Sequence, residues 1–237
     1  MTTSPEDIQV FILAGGLGTR IRSMFPAQPK PLIPIHGKPF LEWQLELLMQ
    51  QGFSSFVFCV SYLAEKIIRQ FGDGSAWGAT IEYSIEETLL GTAGALKHAA
   101  RFFQQTSLVL NGDTYVATDY QALLSRHREY GGVGCLGLVA VQDTNRYGQV
   151  IISPEHRIVE FREKAQSPCR TGLINAGVYV LEPAVLDYIP SGRAVSIEKE
   201  TFPALVAQNA LYGFPVEGAF VDMGTPEGYD SIVALLK

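Results

Sequence analysis

Four consecutive apolar residues, Val10-Phe-Ile-Leu13, break directly into a glycine-rich turn, Gly15-Gly-Leu-Gly18. An unbroken apolar run fits a strand buried on both faces, and strands of that kind belong to parallel sheets crossed over by helices. The same alternation of short apolar runs and amphipathic stretches continues through the first half. A helix is expected over 39–51, where Pro39 suits the first turn, Leu41, Leu45 and Leu48 share a face, and Gly52 terminates it. Residues 56–60 read as a second buried strand, 64–71 as a helix, 81–85 as a shorter strand, 94–103 as a helix and 107–110 as a strand. The last of these ends at Asn111-Gly-Asp-Thr114, which sets a carboxylate at the carboxyl edge of the sheet, where open α/β sheets collect their ligands.

The second half is less regular. Strand-like segments at 137–141, 149–152, 158–162, 177–181 and 219–222 are separated by turns and only brief helical stretches, which implies a mixed sheet. No repeat, low-complexity tract or linker interrupts the 237 residues. They read as one α/β domain, 1–237, with a mixed, mostly parallel central sheet flanked by helices.

Charge narrows the possible partners. With 18 basic against 24 acidic residues and a net charge of -6, no overall positive field exists to hold nucleic acid or an anionic membrane, so any phosphate must be held locally. Cys59, Cys135 and Cys169 are odd in number and widely spaced, which excludes a disulfide framework or a zinc knuckle and fits a reducing compartment. The acidic N-terminus and the short apolar stretch 10–14 give neither a secretory leader nor a span, so a cytoplasmic protein is expected. His36, His98, His127 and His156 lack metal-ligand spacing. No Gly-x-Ser-x-Gly or serine triad is present.

The local phosphate holder is Leu13-Ala-Gly-Gly-Leu-Gly-Thr-Arg20 followed by Gln28-Pro-Lys-Pro-Leu32. Glycines let the backbone approach a phosphate closely and aim several N–H groups at it, while Arg20 and Lys30 supply charge. The spacing is neither a dinucleotide fingerprint nor a Walker loop. An NAD-dependent oxidoreductase would need an acidic residue about 20 positions on, at the end of the second strand, and Pro-Lys-Pro stands there instead. Asp113 and Asp222, each at the end of an apolar strand, could share a magnesium ion, whose hard oxygen ligands suit a phosphate site.

These blocks resemble the sugar-1-phosphate nucleotidyltransferases, whose N-terminal pattern is Leu-Ala-Gly-Gly-x-Gly-Thr-Arg followed by Pro-Lys-Pro. The resemblance runs from about Val10 to Tyr229 and is nearest to the D-glycero-α-D-manno-heptose 1-phosphate guanylyltransferases. It is carried further by Thr19-Arg-Ile-Arg-Ser23, Phe40-Leu-Glu-Trp43, Ser84-Ile-Glu-Glu87, Gly91-Thr-Ala-Gly94, Asn111-Gly-Asp-Thr-Tyr115, Arg146-Tyr-Gly148, Leu173-Ile-Asn-Ala-Gly177 and Asp222-Met-Gly-Thr-Pro-Glu-Gly-Tyr229. Mannose, glucose and N-acetylmuramate enzymes share most of them, so the sugar and the base stay open.

The resemblance implies a Rossmann-like fold with a nucleotide-binding half over about 8–115 and a sugar-phosphate-binding half over about 116–237. Gly15, Gly16, Gly18 and Arg20 would wrap GTP, with Arg20 on the departing pyrophosphate and Lys30 on the α-phosphate. Ala14, Glu87 and Gly91 would hold the base, and Leu13, Thr19, Thr92, Gly112 and Asp113 complete the nucleotide set. A carboxylate at Glu87 could accept from guanine N1–H and the 2-amino group together, although Thr88-Leu89 stand where relatives often carry a proline. Tyr147, Gly148, Glu163, Lys164 and Asn175 would hold the sugar 1-phosphate, with Lys164 neutralising its phosphate. Catalysis would rest on Arg20, Lys30, Asp113, Lys164 and Asp222, with Mg2+ on Asp113 and Asp222.

The implied reaction joins GTP and heptose 1-phosphate into the GDP-sugar and pyrophosphate, serving bacterial capsule, surface-layer or lipopolysaccharide glycans. A homodimer is compatible with the sequence. A non-catalytic, nucleotide-sugar-binding relative would be expected to lose the metal carboxylates or the lysines, which are all present. The sequence ends at Lys237, soon after Gly-Thr-Pro, so no β-helical acyltransferase extension is expected.

Overall fold

The computed structural model describes residues 4–144, 147–162 and 171–236. Strand β1 (Gln9–Leu13) lies inside the main sheet with β-partners on either side, and its apolar run divides between two cores. Val10 and Ile12 face one, Phe11 the other, and all three are fully buried. A long loop leads to the small hairpin of β2 (Pro34–Ile35) and β3 (Lys38–Pro39), then to α1 (Phe40–Met49). Pro39 therefore sits at the cap of this helix, one position before its first turn. The expected strand and helix at 56–60 and 64–71 are β4 (Ser55–Val60) and α2 (Ala64–Phe71). Next come β5 (Thr80–Ile85), α3 (Gly91–His98), β6 (Ser107–Asn111) and β7 (Thr114–Ala117).

Strands β5, β4, β1 and β6 are parallel neighbours in that order. The chain continues through α4 (Tyr120–Tyr130), β8 (Gly134–Val141), β9 (Gln149–Ile152), β10 (Ile158–Arg162) and β11 (Gly172–Leu181). A π-helical turn, Ile197–Thr201, runs into α5 (Phe202–Ala207), followed by β12 (Leu211–Pro215), β13 (Ala219–Asp222) and α6 (Pro226–Leu235). Strand β11 runs antiparallel between β6 and β8, β12 adds parallel to β8, and the β9–β10 hairpin joins at β11. The sheet is mixed and mostly parallel, as expected. Helices α1, α2 and α4 cover the Val10 and Ile12 side, while α3 and α5 cover the other. A third, smaller core packs α6 and β2 against Tyr115 and Met223.

Three expectations need correction. The helix expected over 94–103 begins at Gly91, where the Val195 carbonyl caps its first turn by accepting from Ala93 N at 3.0 Å and Gly94 N at 3.3 Å, and it stops at His98, giving way to a 3-10 turn at Ala100–Phe102. The strand expected from 177 begins at Gly172 and absorbs a bulge between Asn175 and Tyr179, with Gly177 at φ +72°. The second half also holds more than brief helical stretches. Helix α4 runs 11 residues behind an Asp119 cap that accepts from Ala122 N at 2.9 Å, and α6 runs 10 residues behind Thr225. Among the described residues no helix is long and apolar enough to cross a membrane.

Candidate active site

A cavity of about 560 Å³ opens at the carboxyl ends of β1, β4 and β6. Its floor is built by backbone. Ala14 N donates to Cys59 O at 2.8 Å, so the chain continues the β1–β4 ladder for one residue before turning. Gly112 N donates to Leu13 O at 2.9 Å, and a Cβ on Gly112 would stand only 2.7 Å from that oxygen. Gly18 adopts φ +60° and lies over the Lys30 side chain. Glycine is required at both places, for close approach at Gly112 and for a left-handed backbone at Gly18. The wall includes Leu13, Ala14, Gly15, Gly16, Gly18, Thr19, Lys30, Gly91, Thr92, Gly112 and Asp113, which is the expected nucleotide set without Arg20 and Glu87.

Arg20 nevertheless reaches the charged end of the cavity. Lys30 is 9% exposed and its Nζ lies 2.5 Å from Asp113 Oδ2. Asp222 is carried beside Asp113 by the β7–β13 ladder, which pairs Thr114 with Asp222, and by Met223 N donating to Asp113 O at 2.9 Å. Asp222 Oδ1 accepts from Gly224 N at 2.7 Å. A Cβ on Gly224 would stand 2.7 Å from that oxygen, 3.0 Å from Arg20 Nη2 and 3.1 Å from Lys30 Nζ. Two cations and two carboxylates therefore crowd around one glycine-sized notch. Among the described residues no group of three or more His, Cys, Asp and Glu side chains is arranged to hold a metal. The donor set fits magnesium all the same, since that ion takes one or two carboxylates and fills its remaining positions with water and substrate phosphate.

Glu87, expected at the base, does not line the cavity, and its neighbour does. Glu87 is exposed, whereas Glu86 is 6% exposed and lines the cavity. Glu86 N donates to Val60 O at 2.9 Å, extending the β4–β5 ladder past Ile85, so its side chain turns inward and those of Ile85 and Glu87 turn out. Glu86 Oε2 accepts from Leu90 N at 2.9 Å, and a Cβ on Gly15 would lie 3.4 Å from its Oε1. Burial raises the Glu86 carboxyl above its ordinary value, partly offset by the Leu90 N–H and by His98.

The acceptor-side residues are only partly brought together. Asn175 is engaged within the β11 bulge: its Oδ1 accepts from Gly177 N at 2.8 Å and its Nδ2 donates to the Tyr179 hydroxyl at 3.1 Å. Tyr147 packs edge-on to Phe220 at 5.6 Å, and Gly148 N donates to Thr144 O at 3.0 Å. Arg146, Glu163, Lys164 and Cys169 lie outside the described residues. Two further residues carried no sequence signal. Gln44 on α1 is 2% exposed and donates to Asn111 O at 3.1 Å and Thr114 O at 2.7 Å, bracing the turn that carries Asp113. Glu198, in the π-helical turn, also lines the cavity.

A parallel-sheet edge with a glycine loop, a buried lysine and paired carboxylates defines an α/β protein built to hold a nucleotide's phosphates. The chain belongs to the Nucleotidyl transferase family, whose model matches residues 9–236. It is 40% identical over 227 residues to a mannose-1-phosphate guanylyltransferase of Mycobacterium tuberculosis, covering 94% of this chain and 63% of that protein. It is 35% identical over 225 residues to the D-glycero-alpha-D-manno-heptose 1-phosphate guanylyltransferase of Campylobacter jejuni, covering 94% of this chain and 97% of that one. The crystal structure of HddC from Yersinia pseudotuberculosis superposes with a TM-score of 0.86 at 32% identity, over 97% of this chain and all of that one. The same protein complexed with GMP-PN gives 0.84. This chain thus spans less than two thirds of the mannose relative's length but nearly the whole of the heptose relative and of HddC.

Proposed function

We propose that this protein transfers GMP from GTP to D-glycero-α-D-manno-heptose 1-phosphate, giving the GDP-heptose and pyrophosphate. The observation that carries the reading is the single cavity with Lys30, Arg20, Asp113 and Asp222 at one end and the inward carboxylate of Glu86 at another. One end suits phosphates; the other suits a base offering two adjacent donors, as guanine does along N1–H and the 2-amino group. The heptose relative matched over 97% of its length supports the choice of sugar. A second reading, mannose 1-phosphate as acceptor, is favoured by the 40% identity to the mannose enzyme.

The sugar phosphate is already an anion near neutral pH, with a second pKa of about 6, so no general base is needed. The chain's task is to bring two polyanions together and hold them in line at the α-phosphorus. Lys30, preset against Asp113, exchanges its carboxylate partner for the α-phosphate when GTP enters. Arg20 meets the departing pyrophosphate, and the glycine loop lays its N–H groups along the phosphates. Lys164 neutralises the sugar phosphate, while Asn175 and Glu163 meet sugar hydroxyls. Magnesium on Asp113 and Asp222 would supply further charge for the phosphates. The reduced cysteines Cys59 and Cys135 fit a cytoplasmic location, and a GDP-heptose product fits donation to bacterial surface glycans.

The deciding experiment is magnesium-dependent pyrophosphate release from GTP, ATP, CTP and UTP, each with the heptose, mannose and glucose 1-phosphates. Release confined to GTP with the heptose is the expected outcome. Release with GTP and mannose 1-phosphate selects the second reading, and release with no pair leaves a nucleotide-sugar-binding protein without turnover.

A further inference from the structure

Resting on the guanylyltransferase reading, we propose that Glu198 is a specificity-determining residue that accepts hydrogen bonds from hydroxyls of the sugar 1-phosphate, and that Thr92 positions it. This wall of the cavity offers a phosphate no free donor. Thr92 Oγ1 accepts from Ile197 N at 2.8 Å, so its own proton is committed to Glu198 Oε2, 2.9 Å away. The hydroxyl has no donor left for a phosphate. The N–H groups of Ala93 and Gly94, which would otherwise make the start of α3 an anion site, both donate to Val195 O. What the wall presents instead is a carboxylate.

That carboxylate is half-buried and held in place by its neighbours. Glu198 lies in the π-helical turn Ile197–Thr201, and π segments concentrate at functional sites. Its Oε2 also accepts from Ser196 Oγ at 2.8 Å, which with Thr92 fixes the plane of the group. Among the described residues Glu198 forms no ion pair. In a cavity that receives two polyanions, an unpaired carboxylate repels phosphate and favours whatever neutral group carries donors. The base already has Glu86, held on the other side of the same segment by Leu90 N. The remaining donor-rich parts are the ribose diol of GTP and the polyol of the sugar 1-phosphate, and the place of the turn selects the second. Geometry sets Glu198 on the acceptor side: the π-helical turn that carries it runs straight into Phe202, whose ring packs edge-on against Tyr179 at 5.0 Å, and the Tyr179 hydroxyl accepts from Asn175 and Asn111.

The test is steady-state kinetics of Glu198→Gln with GTP and the sugar 1-phosphate that the wild type prefers. The amide is isosteric, and its oxygen still accepts from Thr92 and Ser196. Losing a hydrogen bond to a charged acceptor should raise KM for the sugar phosphate by about 10- to 100-fold while KM for GTP stays within about twofold. Deoxy sugar 1-phosphates locate the contact. One of them should weaken the wild type by a similar factor and the Glu198→Gln variant scarcely at all. Thr92→Val should shift the sugar KM in the same direction, and Thr92→Ser should restore it. An unchanged sugar KM in a folded Glu198→Gln variant that still binds GTP, or a rise in KM for GTP instead, overturns the assignment. If Glu198→Gln does not fold, the Thr92→Val and Thr92→Ser pair decides by the same readout. A wild type that releases pyrophosphate with no pair overturns the transfer reading itself, and this inference with it.

Discussion

The wall proposed to face the nucleotide and the wall proposed to face its acceptor are built by different means. On the nucleotide side, the lining comes from backbone: the 13–20 loop, the Gly112 crossing against Leu13 O and the left-handed Gly18, all at the ends of adjacent parallel strands. On the acceptor side, β11 runs antiparallel and bulges at Asn175, and Glu198 projects from a π-helical turn far along the chain. Backbone geometry serves a ligand part that never varies, the polyphosphate. Side chains on irregular elements serve a part that differs from one relative to the next.

The contrast can be broken most sharply at the charged end. Lys30→Ala or Asp113→Asn should lower turnover by about 10²- to 10³-fold or more, the scale for removing one preorganised electrostatic partner, with the thermal unfolding midpoint near that of wild type. Near-normal turnover in either folded variant would remove the charged notch from the mechanism. Glu86→Gln comes next. Losing the charged acceptor for two guanine donors should weaken GTP by about 10- to 100-fold and relax the preference against ATP, read as a KM ratio.

Glu86 also gives a pH signature. Its folded-state carboxyl titrates above the ordinary 4.5 because burial disfavours the charge. Between the ordinary and the raised value the folded chain holds a proton that the unfolded chain has lost. That contribution to stability is therefore present below 4.5 and is lost as pH rises through the raised value. If Glu86 reads guanine as proposed, GTP binding needs its ionised form, so KM for GTP should fall as pH climbs through the same window. Glu86→Gln should flatten both trends.

A backbone test follows. Gly91 sits at φ +73°, and a Cβ there would stand 2.5 Å from Val195 O, so Gly91→Ala should cost about 1–3 kcal/mol or more, measured by the urea midpoint. The smallest effect is expected at Glu87. Being exposed, Glu87→Gln should change KM for GTP by no more than about twofold, in line with ordinary surface substitutions.

The sequence was legible where structure is local. The run Val10–Leu13, the helix at Ala64–Phe71 and the strands at Gln149–Ile152, Ile158–Arg162 and Ala219–Asp222 all announce themselves by composition and period. The glycine loop was legible for the same reason, since its residues meet the ligand in chain order. The one-residue displacement from Glu87 to Glu86 was not, because the inward turn depends on a ladder bond from Val60, about a quarter of a hundred residues upstream and on another strand. Helix α4 hid behind the polar members of its buried stripe, where His127 sits among Leu123 and Leu124 and pairs with Glu182 at 2.7 Å. Glu198 and Gln44 carry no motif of their own. Their roles come from distant carbonyls and hydroxyls that only the folded chain brings near.

The segment Leu90–Thr92 holds both cavity carboxylates, Glu86 through the Leu90 N–H and Glu198 through the Thr92 hydroxyl, while Leu90 O and Gly91 lock it against Val195. On the proposed roles of these two carboxylates, base choice and sugar choice are thereby coupled through one tripeptide. A change in this tripeptide that altered the reading of the base would then also move the grip on the sugar, and variants selected for a new nucleotide should show it as an altered ranking of sugars.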